Sequence, residues 1–146
     1  MKDLSRKRHI AKAITWRIIG TLDTIFLSWL ITGDPLTGLQ IGGAEVITKT
    51  FLYYVHERLW FKIPFGTGSK RSSERHLLKT ISWRILGTMD TMMLAWIISG
   101  NPFIGLKVGV AEVFTKMLLY YLHERFWYKM DFGVENRRNA KYTEDE

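Results

Sequence analysis

The stretch TWRIIGTLDT at residues 15–24 and its near copy SWRILGTMDT at residues 82–91 decide the fold of this chain. Each copy is an apolar run that carries an arginine and an aspartate inside it. A second pair, AEVITKTFLYYVHERLW at 44–60 and AEVFTKMLLYYLHERFW at 111–127, repeats at the same offset and places a glutamate and a lysine in apolar surroundings. The chain therefore contains the same apolar, internally charged pattern twice.

The duplication covers most of the sequence and has a length that suits membrane helices. Residues 8–66 recur at 75–133 without a gap, and more than half of the aligned positions are identical. Each copy holds two long apolar runs. The four runs are 10–32, 36–55, 81–99 and 103–122. About 20 helical residues span the hydrocarbon core of a bilayer. The runs predict an all-α polytopic membrane protein with four transmembrane helices in two tandem hairpins.

The 21 Lys and Arg residues predict how the hairpins are oriented. Only Lys107 lies near a hairpin turn, whereas the others flank the hairpins or lie within the apolar runs. Because basic residues favour the cytoplasmic side of a membrane, we expect both termini in the cytoplasm. Two spans per copy make this a parallel repeat, since both hairpins enter from the same side. A soluble helical bundle is the alternative, and the run lengths and this asymmetry argue against it.

Composition and duplication together divide the chain into four parts. They are a first transmembrane hairpin at 1–66, a cytoplasmic linker at 67–74, a second transmembrane hairpin at 75–133 and a polar cytoplasmic tail at 134–146. The hairpin turns are Gly-Asp-Pro at 33–35 and Gly-Asn-Pro at 100–102. Glycine ends a helix, Asp or Asn caps the next one, and proline suits its first position.

Four ionisable residues lie deep in each hairpin. They are Arg17, Asp23, Glu45 and Lys49 in the first hairpin and Arg84, Asp90, Glu112 and Lys116 in the second. Counted from the turns, the acids form a layer near mid-membrane, and the bases lie about 6 Å closer to the cytoplasm. At 100° per residue these groups fall on polar helix faces. In the first helix, the opposite face, which includes Ile18, Leu22 and Ile25, is expected to contact lipid.

Small residues share the polar faces of the helices and predict where the helices touch. We expect helix-packing contacts at Gly20, Gly38, Gly42, Gly87, Gly105 and Gly109. Two glycines spaced four apart allow a second helix to approach closely in a membrane. The polar faces should therefore point at protein.

The cost of burying charge leaves two interpretations of the deep ionisable residues. One such charge at the bilayer centre costs about 2.5–3.5 kcal/mol on insertion scales, so the groups must pair or be hydrated. Their formal charges sum to zero, which favours a neutral network that holds a structural or partner-binding bundle together. The alternative is a small channel or transporter for ions, protons or a small charged solute. Its pathway would use Glu45, Lys49, Glu112 and Lys116.

The remaining signals concern the cytoplasmic ends of the helices. We expect His56, Arg58, His123 and Arg125 at the membrane interface, as anchors and helix-end caps. Anionic lipid headgroups are the alternative ligands for them. No tight ligand spacing indicates a metal, and no catalytic set indicates an enzyme or a cofactor. Membrane topology accounts for the basic residues without nucleic acid. The expected partners are the lipid bilayer and further copies of the chain in a homo-oligomer.

The motif residues resemble a known family. Residues 16–24, with Glu45, Lys49, the tyrosine pair at 53–54 and HERLW at 56–60, resemble a prokaryotic membrane-protein family catalogued as a domain of unknown function, and the resemblance covers both copies. It implies an integral protein of the prokaryotic cytoplasmic (inner) membrane. It implies no activity, so no catalytic residue is carried over.

Overall fold

Over the residues that the structure describes, the chain forms four long helices, two in each copy of the repeat. A computed structural model describes residues 2–64 and 72–130, and the side chains from residue 6 onward. Its helices are α1 (Lys2–Thr32), α2 (Pro35–Lys62), α3 (Ser72–Ser99) and α4 (Pro102–Lys129). The predicted all-α class with two tandem hairpins is confirmed. Of the predicted linker 67–74, only its last three residues are described, as the start of α3, and the predicted tail 134–146 lies outside the described residues.

Both hairpin turns have the geometry that their sequences predict. Gly33 and Gly100 adopt positive φ angles of 76° and 72°, a conformation that glycine reaches without strain. The Asp34 carboxylate accepts hydrogen bonds from the backbone N–H groups of Leu36 and Thr37 at 3.3 and 2.8 Å. In the second hairpin, Asn101 Oδ1 accepts from Phe103 N at 2.9 Å. Local chemistry is therefore sufficient to end one helix and start the next.

The first helix begins earlier than the sequence pattern indicates. The basic residues 1–9 are expected to precede it, whereas α1 is helical from Lys2. Arg8 shows one reason, because its guanidinium donates to the carbonyls of Trp127 and Met130 at 2.5 and 2.8 Å. The two carbonyls lie at the end of α4, where a helix leaves its last C=O groups without partners of its own. Arg8 on α1 thus caps the end of α4.

The chain divides into two compact units, which are described separately. One contains residues 1–20 and 115–146, and the other contains residues 21–114. The second unit has a core in which Ile41, Ala95 and Val108 have no exposed surface. These three residues are called the apolar layer below. Ile31, Ile98 and Ile104 pack against it. The layer lies toward the hairpin turns, since each of its members is closer to a turn than the deep acids are.

Large apolar side chains also cover the outside of the helices. Ile18, Leu22 and Phe26 of α1 are each more than half exposed, on the face expected to contact lipid. Ile25 departs from that expectation, because its side chain and its carbonyl lie where Cβ atoms at Gly42 and Gly38 would be. At 100° per residue, Ile25 lies near the border of the face expected to contact lipid. Because Gly38 and Gly42 have no side chains, α2 can approach α1 closely enough to cover Ile25.

One described helix, α1 over Arg6–Thr32, is long and apolar enough by length and composition to cross a membrane. The other three helices have 28 residues each. That length exceeds the roughly 20 residues that a span requires. Charged side chains interrupt the apolar runs of these helices. Whether the helices can span a membrane therefore depends on whether those side chains point inward or outward.

Candidate functional site: a buried lysine, glutamate and threonine cluster

The deepest ionisable groups are two glutamates at equivalent positions of the two hairpins. Glu45 on α2 and Glu112 on α4 are only 4% and 3% exposed. Both belong to the unit that contains the apolar layer. A buried carboxylate is tolerated when cations and hydrogen-bond donors surround it. The groups around these two carboxylates therefore determine what the site can do.

A single lysine contacts both glutamates. The Lys49 ammonium forms an ion pair and hydrogen bond with Glu45, one helical turn before it. It also lies 3.7 Å from the Glu112 carboxylate and donates to the Thr91 hydroxyl at 3.0 Å. The ammonium thus joins α2 to α3 and α4. The pairing of Glu45 with Lys49 at i, i+4 is therefore one of several contacts that this ammonium makes.

Two buried threonines also donate hydrogen bonds to the carboxylates. Thr91 on α3 donates to Glu45 at 3.0 Å, and Thr24 on α1 donates to Glu112 at 2.8 Å. Both threonines have no exposed surface, and they occupy the same position of the repeat. The sequence pattern does not single them out as site residues, although Thr24 lies seven residues after Arg17 and so on the same polar face of the helix. We call Thr24, Glu45, Lys49, Thr91 and Glu112 the buried charge cluster.

The other predicted members of the charge network lie in different surroundings. Asp90 is half-buried and accepts a hydrogen bond from Thr48 at 2.8 Å, which joins α3 to α2. Asp23 is also half-buried, whereas Arg17 and Arg84 are exposed. Lys116 is half-buried in the other compact unit. The structure thus joins three of the eight predicted residues through one ammonium, and it places the two arginines on the outer surface.

The predicted packing glycines serve two different purposes. Gly38, Gly42, Gly105 and Gly109 are buried where two helices of one hairpin approach each other. A Cβ at Gly38 would lie 2.7 Å from the Ile25 carbonyl oxygen, and one at Gly105 would contact the Met92 carbonyl even more closely. Only glycine allows this approach.

The other two glycines lie beside the deep lysines. A Cβ at Gly87 would be 3.7 Å from Lys49 Cε, and one at Gly20 would be 3.9 Å from Lys116 Cε. These distances are ordinary van der Waals contacts. The two glycines therefore leave room for the lysine stems, and they do so at equivalent positions of the repeat.

Both histidines expected at the membrane interface are buried against a tryptophan and a hydroxyl group. His56 Nε2 lies 2.8 Å from Ser82 Oγ and accepts from Trp60 Nε1 at 3.0 Å. His123 is arranged likewise, with Thr15 and Trp127 at 2.9 and 3.0 Å. Each imidazole is 6% exposed, and burial lowers the pKa of both. The surroundings of both imidazoles therefore disfavour their charged form.

The neighbouring arginines remain at the surface. Arg58 lies over the Tyr54 ring at 5.9 Å, and Arg125 donates to the Tyr121 hydroxyl at 3.4 Å. Both guanidinium groups are exposed. Their position suits the predicted interface, where a charged head can remain in water above an apolar body. In the described part of the chain, no group of three or more His, Asp or Glu residues could hold a metal ion.

Comparison with known proteins gives the same duplicated unit. The family model described as "Predicted membrane protein (DUF2061)" matches residues 10–61 and again 77–128. No match was found among curated proteins or among solved structures. The two matched regions fall within the two hairpins and include every residue of the buried charge cluster, so the resemblance carried by the repeated motif is confirmed. The chain therefore belongs to the DUF2061 family of predicted membrane proteins and carries that family's unit in two tandem copies.

Proposed function

We propose that all four helices span the prokaryotic cytoplasmic membrane, with both termini on the cytoplasmic side. The direction of the charged side chains supports four spans. Glu45 and Glu112 interrupt the apolar runs of α2 and α4, but both are buried. The outward faces of the same helices carry exposed Ile47, Phe51 and Phe114. A bilayer would therefore contact mostly apolar side chains, although the composition of these helices is mixed.

Within that architecture, we propose that the protein is a structural or partner-binding helical bundle. The observation that carries this proposal is the Lys49 ammonium, which contacts carboxylates of two different helices and a hydroxyl of a third. An ammonium shared in this way fastens helices together. Threonine hydroxyls donate to the same carboxylates, so protein groups supply hydrogen bonds to both buried acids. The proposal assigns no reaction to the cluster.

The apolar layer also supports a closed arrangement. Ile41 and Val108 precede Glu45 and Glu112 by four residues, and Ala95 follows Thr91 by four. The layer is thus one helical turn, about 6 Å, closer to the hairpin turns than the cluster is. A layer of fully buried apolar side chains beside the cluster supports a closed core.

Transport through the cluster is the second candidate function. Ionisable residues inside a membrane frequently mark ion or proton pathways, and Glu45 and Glu112 are such residues. A pathway would require polar groups or water across the apolar layer. The two functions therefore differ in whether water reaches the cluster from the side of the turns.

A scan with single cysteines tests both the topology and the closed core, because the chain contains no cysteine of its own. Lys107→Cys near a turn should react with a membrane-impermeant thiol reagent from the outer side only. Lys62→Cys and Lys129→Cys, at the exposed ends of α2 and α4, should react from the cytoplasmic side only. Thr24→Cys should remain unmodified from both sides.

Each cysteine position can contradict a different part of the proposal. Modification of Lys62→Cys from the outer side would reverse the orientation. Equal reaction of Lys107→Cys from both sides of sealed vesicles would argue against spanning helices. Rapid modification of Thr24→Cys would show that water reaches the cluster, and it would favour the transport function.

A further inference from the structure

Contacts between the first and second hairpins occur in two sets, and the first set joins α2 to α3. His56 lies 2.8 Å from Ser82, and the Lys79 ammonium donates to Glu57 at 2.7 Å. Arg75 donates to the Trp60 carbonyl at 2.5 Å. All these residues lie in the compact unit 21–114. They form a ladder of an imidazole, an ion pair and a helix cap, and the three α3 residues of this ladder lie on successive turns.

The second set joins α4 to α1 within the other compact unit. His123 lies 2.9 Å from Thr15, and Lys12 donates to Glu124 at 2.7 Å. Arg8 donates to the Trp127 carbonyl at 2.5 Å. This is again an imidazole, an ion pair and a helix cap, and the three α1 residues lie on successive turns. The distances differ from those of the first set by no more than about 0.1 Å.

The two sets consist of the same residues of the repeat. In the alignment of 8–66 with 75–133, His56, Glu57 and Trp60 of α2 correspond to the α4 residues of the second set. The α3 residues of the first set correspond in the same way to Thr15, Lys12 and Arg8 of α1. Aromatic contacts follow the same rule. Tyr53 and Trp83 pack edge to face at 5.4 Å, and Trp16 and Tyr120 do so at 5.3 Å. The hydrogen bonds from Thr91 to Glu45 and from Thr24 to Glu112 are another equivalent pair.

We infer that each hairpin by itself carries a complete, self-complementary interface whose partner is a second copy of the same hairpin. The first hairpin contains both halves of the ladder, with Arg8, Lys12 and Thr15 on α1 and their acceptors on α2. An interface in which residue i contacts j and j contacts i is the kind that two identical chains form. The present chain is then a covalently joined dimer of hairpins.

The differences between the copies leave this interface intact. Ser82 and Thr15 each supply a hydroxyl at the same place, and Ile41 and Val108 are both β-branched apolar residues of the apolar layer. Ser28 and Ala95 are both small. The side chains of a hairpin are therefore sufficient to recognise a second hairpin, and this recognition does not require the linker.

Full-length chains with exchanged hairpins test this inference. In one chain, residues 75–133 are replaced by a second copy of the sequence 8–66, and in another, residues 8–66 are replaced by the sequence 75–133. Both should purify in mild detergent as monodisperse species with the same oligomeric state as wild type. Their unfolding temperatures should lie within about 4 °C of wild type, the shift that a small change in stability causes in a chain of roughly this length.

A third chain with the two hairpins in reversed order is the matched control. It keeps one copy of each hairpin and should fold whether or not the hairpins are self-complementary, so it reports any damage caused by the new junctions. Aggregation or loss of a cooperative transition in either doubled chain, with a folded control, would overturn the inference. The readout is assembly, so the result is independent of whether the cluster conducts protons.

Discussion

Lys49→Met is expected to lower the free energy of unfolding by about 3–5 kcal/mol, the cost of removing one partner from a buried ion pair. The substitution keeps the length of the side chain but removes an ammonium that contacts two carboxylates and a threonine hydroxyl. Glu45 and Glu112 remain buried, and their charges are then less compensated. Thermal or denaturant unfolding of the purified chain in mild detergent measures the loss.

Two further variants separate this effect from a general loss of a lysine. Lys107→Met removes an exposed ammonium near a turn and should change the free energy of unfolding by less than about 0.5 kcal/mol. Adding Glu45→Gln and Glu112→Gln to Lys49→Met should restore part of the stability, since neutral amides need no cation. If Lys49→Met were as stable as wild type, the cluster would not fasten the helices.

Gly38→Ala and Gly105→Ala are the substitutions with the next largest expected effect. A Cβ at residue 38 would lie 2.7 Å from the Ile25 carbonyl oxygen and 2.9 Å from the Trp29 nitrogen. A backbone cannot move aside as a side chain can, so the two helices of the hairpin must separate. Overpacking of this kind costs about 1–3 kcal/mol at each site. Unfolding temperatures of the single and double variants measure it.

Gly43→Ala is the matched control for this pair. It lies on the same helix as Gly38, and a Cβ there would meet nothing within 4 Å. Because alanine favours a helix over glycine by about 0.5–1 kcal/mol, this variant should be as stable as wild type or more so. Equal loss of stability in all three variants would contradict the close-approach explanation, because a Cβ at Gly43 meets no neighbour and helix propensity alone predicts a gain.

Features determined by local sequence could be predicted well. The Gly-Asp-Pro turn needs only the conformational freedom of Gly33, the acceptor oxygens of Asp34 and the fixed φ of Pro35. The pairing of Glu45 with Lys49 likewise needs only helical spacing, which brings i and i+4 together. Both follow from neighbours in the chain, and both are present in the structure.

Contacts between distant helices could not be predicted in the same way. Periodicity tells which face of a helix is polar, but it does not tell which side chain of another helix lies opposite. The hydrogen bond from Thr24 to Glu112 and the arrangement of His123 with Thr15 were missed for this reason. The duplicated sequence held a usable signal, because a polar residue at the same place in both copies, such as Thr24 and Thr91, invites a shared role.

Arg17 shows that helical periodicity alone does not predict which polar residues are buried. It shares the polar stripe of Thr24 at 100° per residue, yet Arg17 is exposed and Thr24 has no exposed surface. Packed helices cross at an angle, so one stripe faces the same neighbour over only a few turns. A polar stripe therefore predicts a buried face near a helix crossing and not along the whole helix.

Proton flux into sealed vesicles tests most directly whether the buried charge cluster fastens helices or conducts. The purified chain is reconstituted with a pH-sensitive dye inside, and a proton gradient is imposed across the membrane. We predict that wild type and the Glu45→Gln, Glu112→Gln double variant both acidify the interior no faster than protein-free vesicles. A proton flux in wild type that the double variant abolishes, while its unfolding temperature is unchanged, would contradict the account.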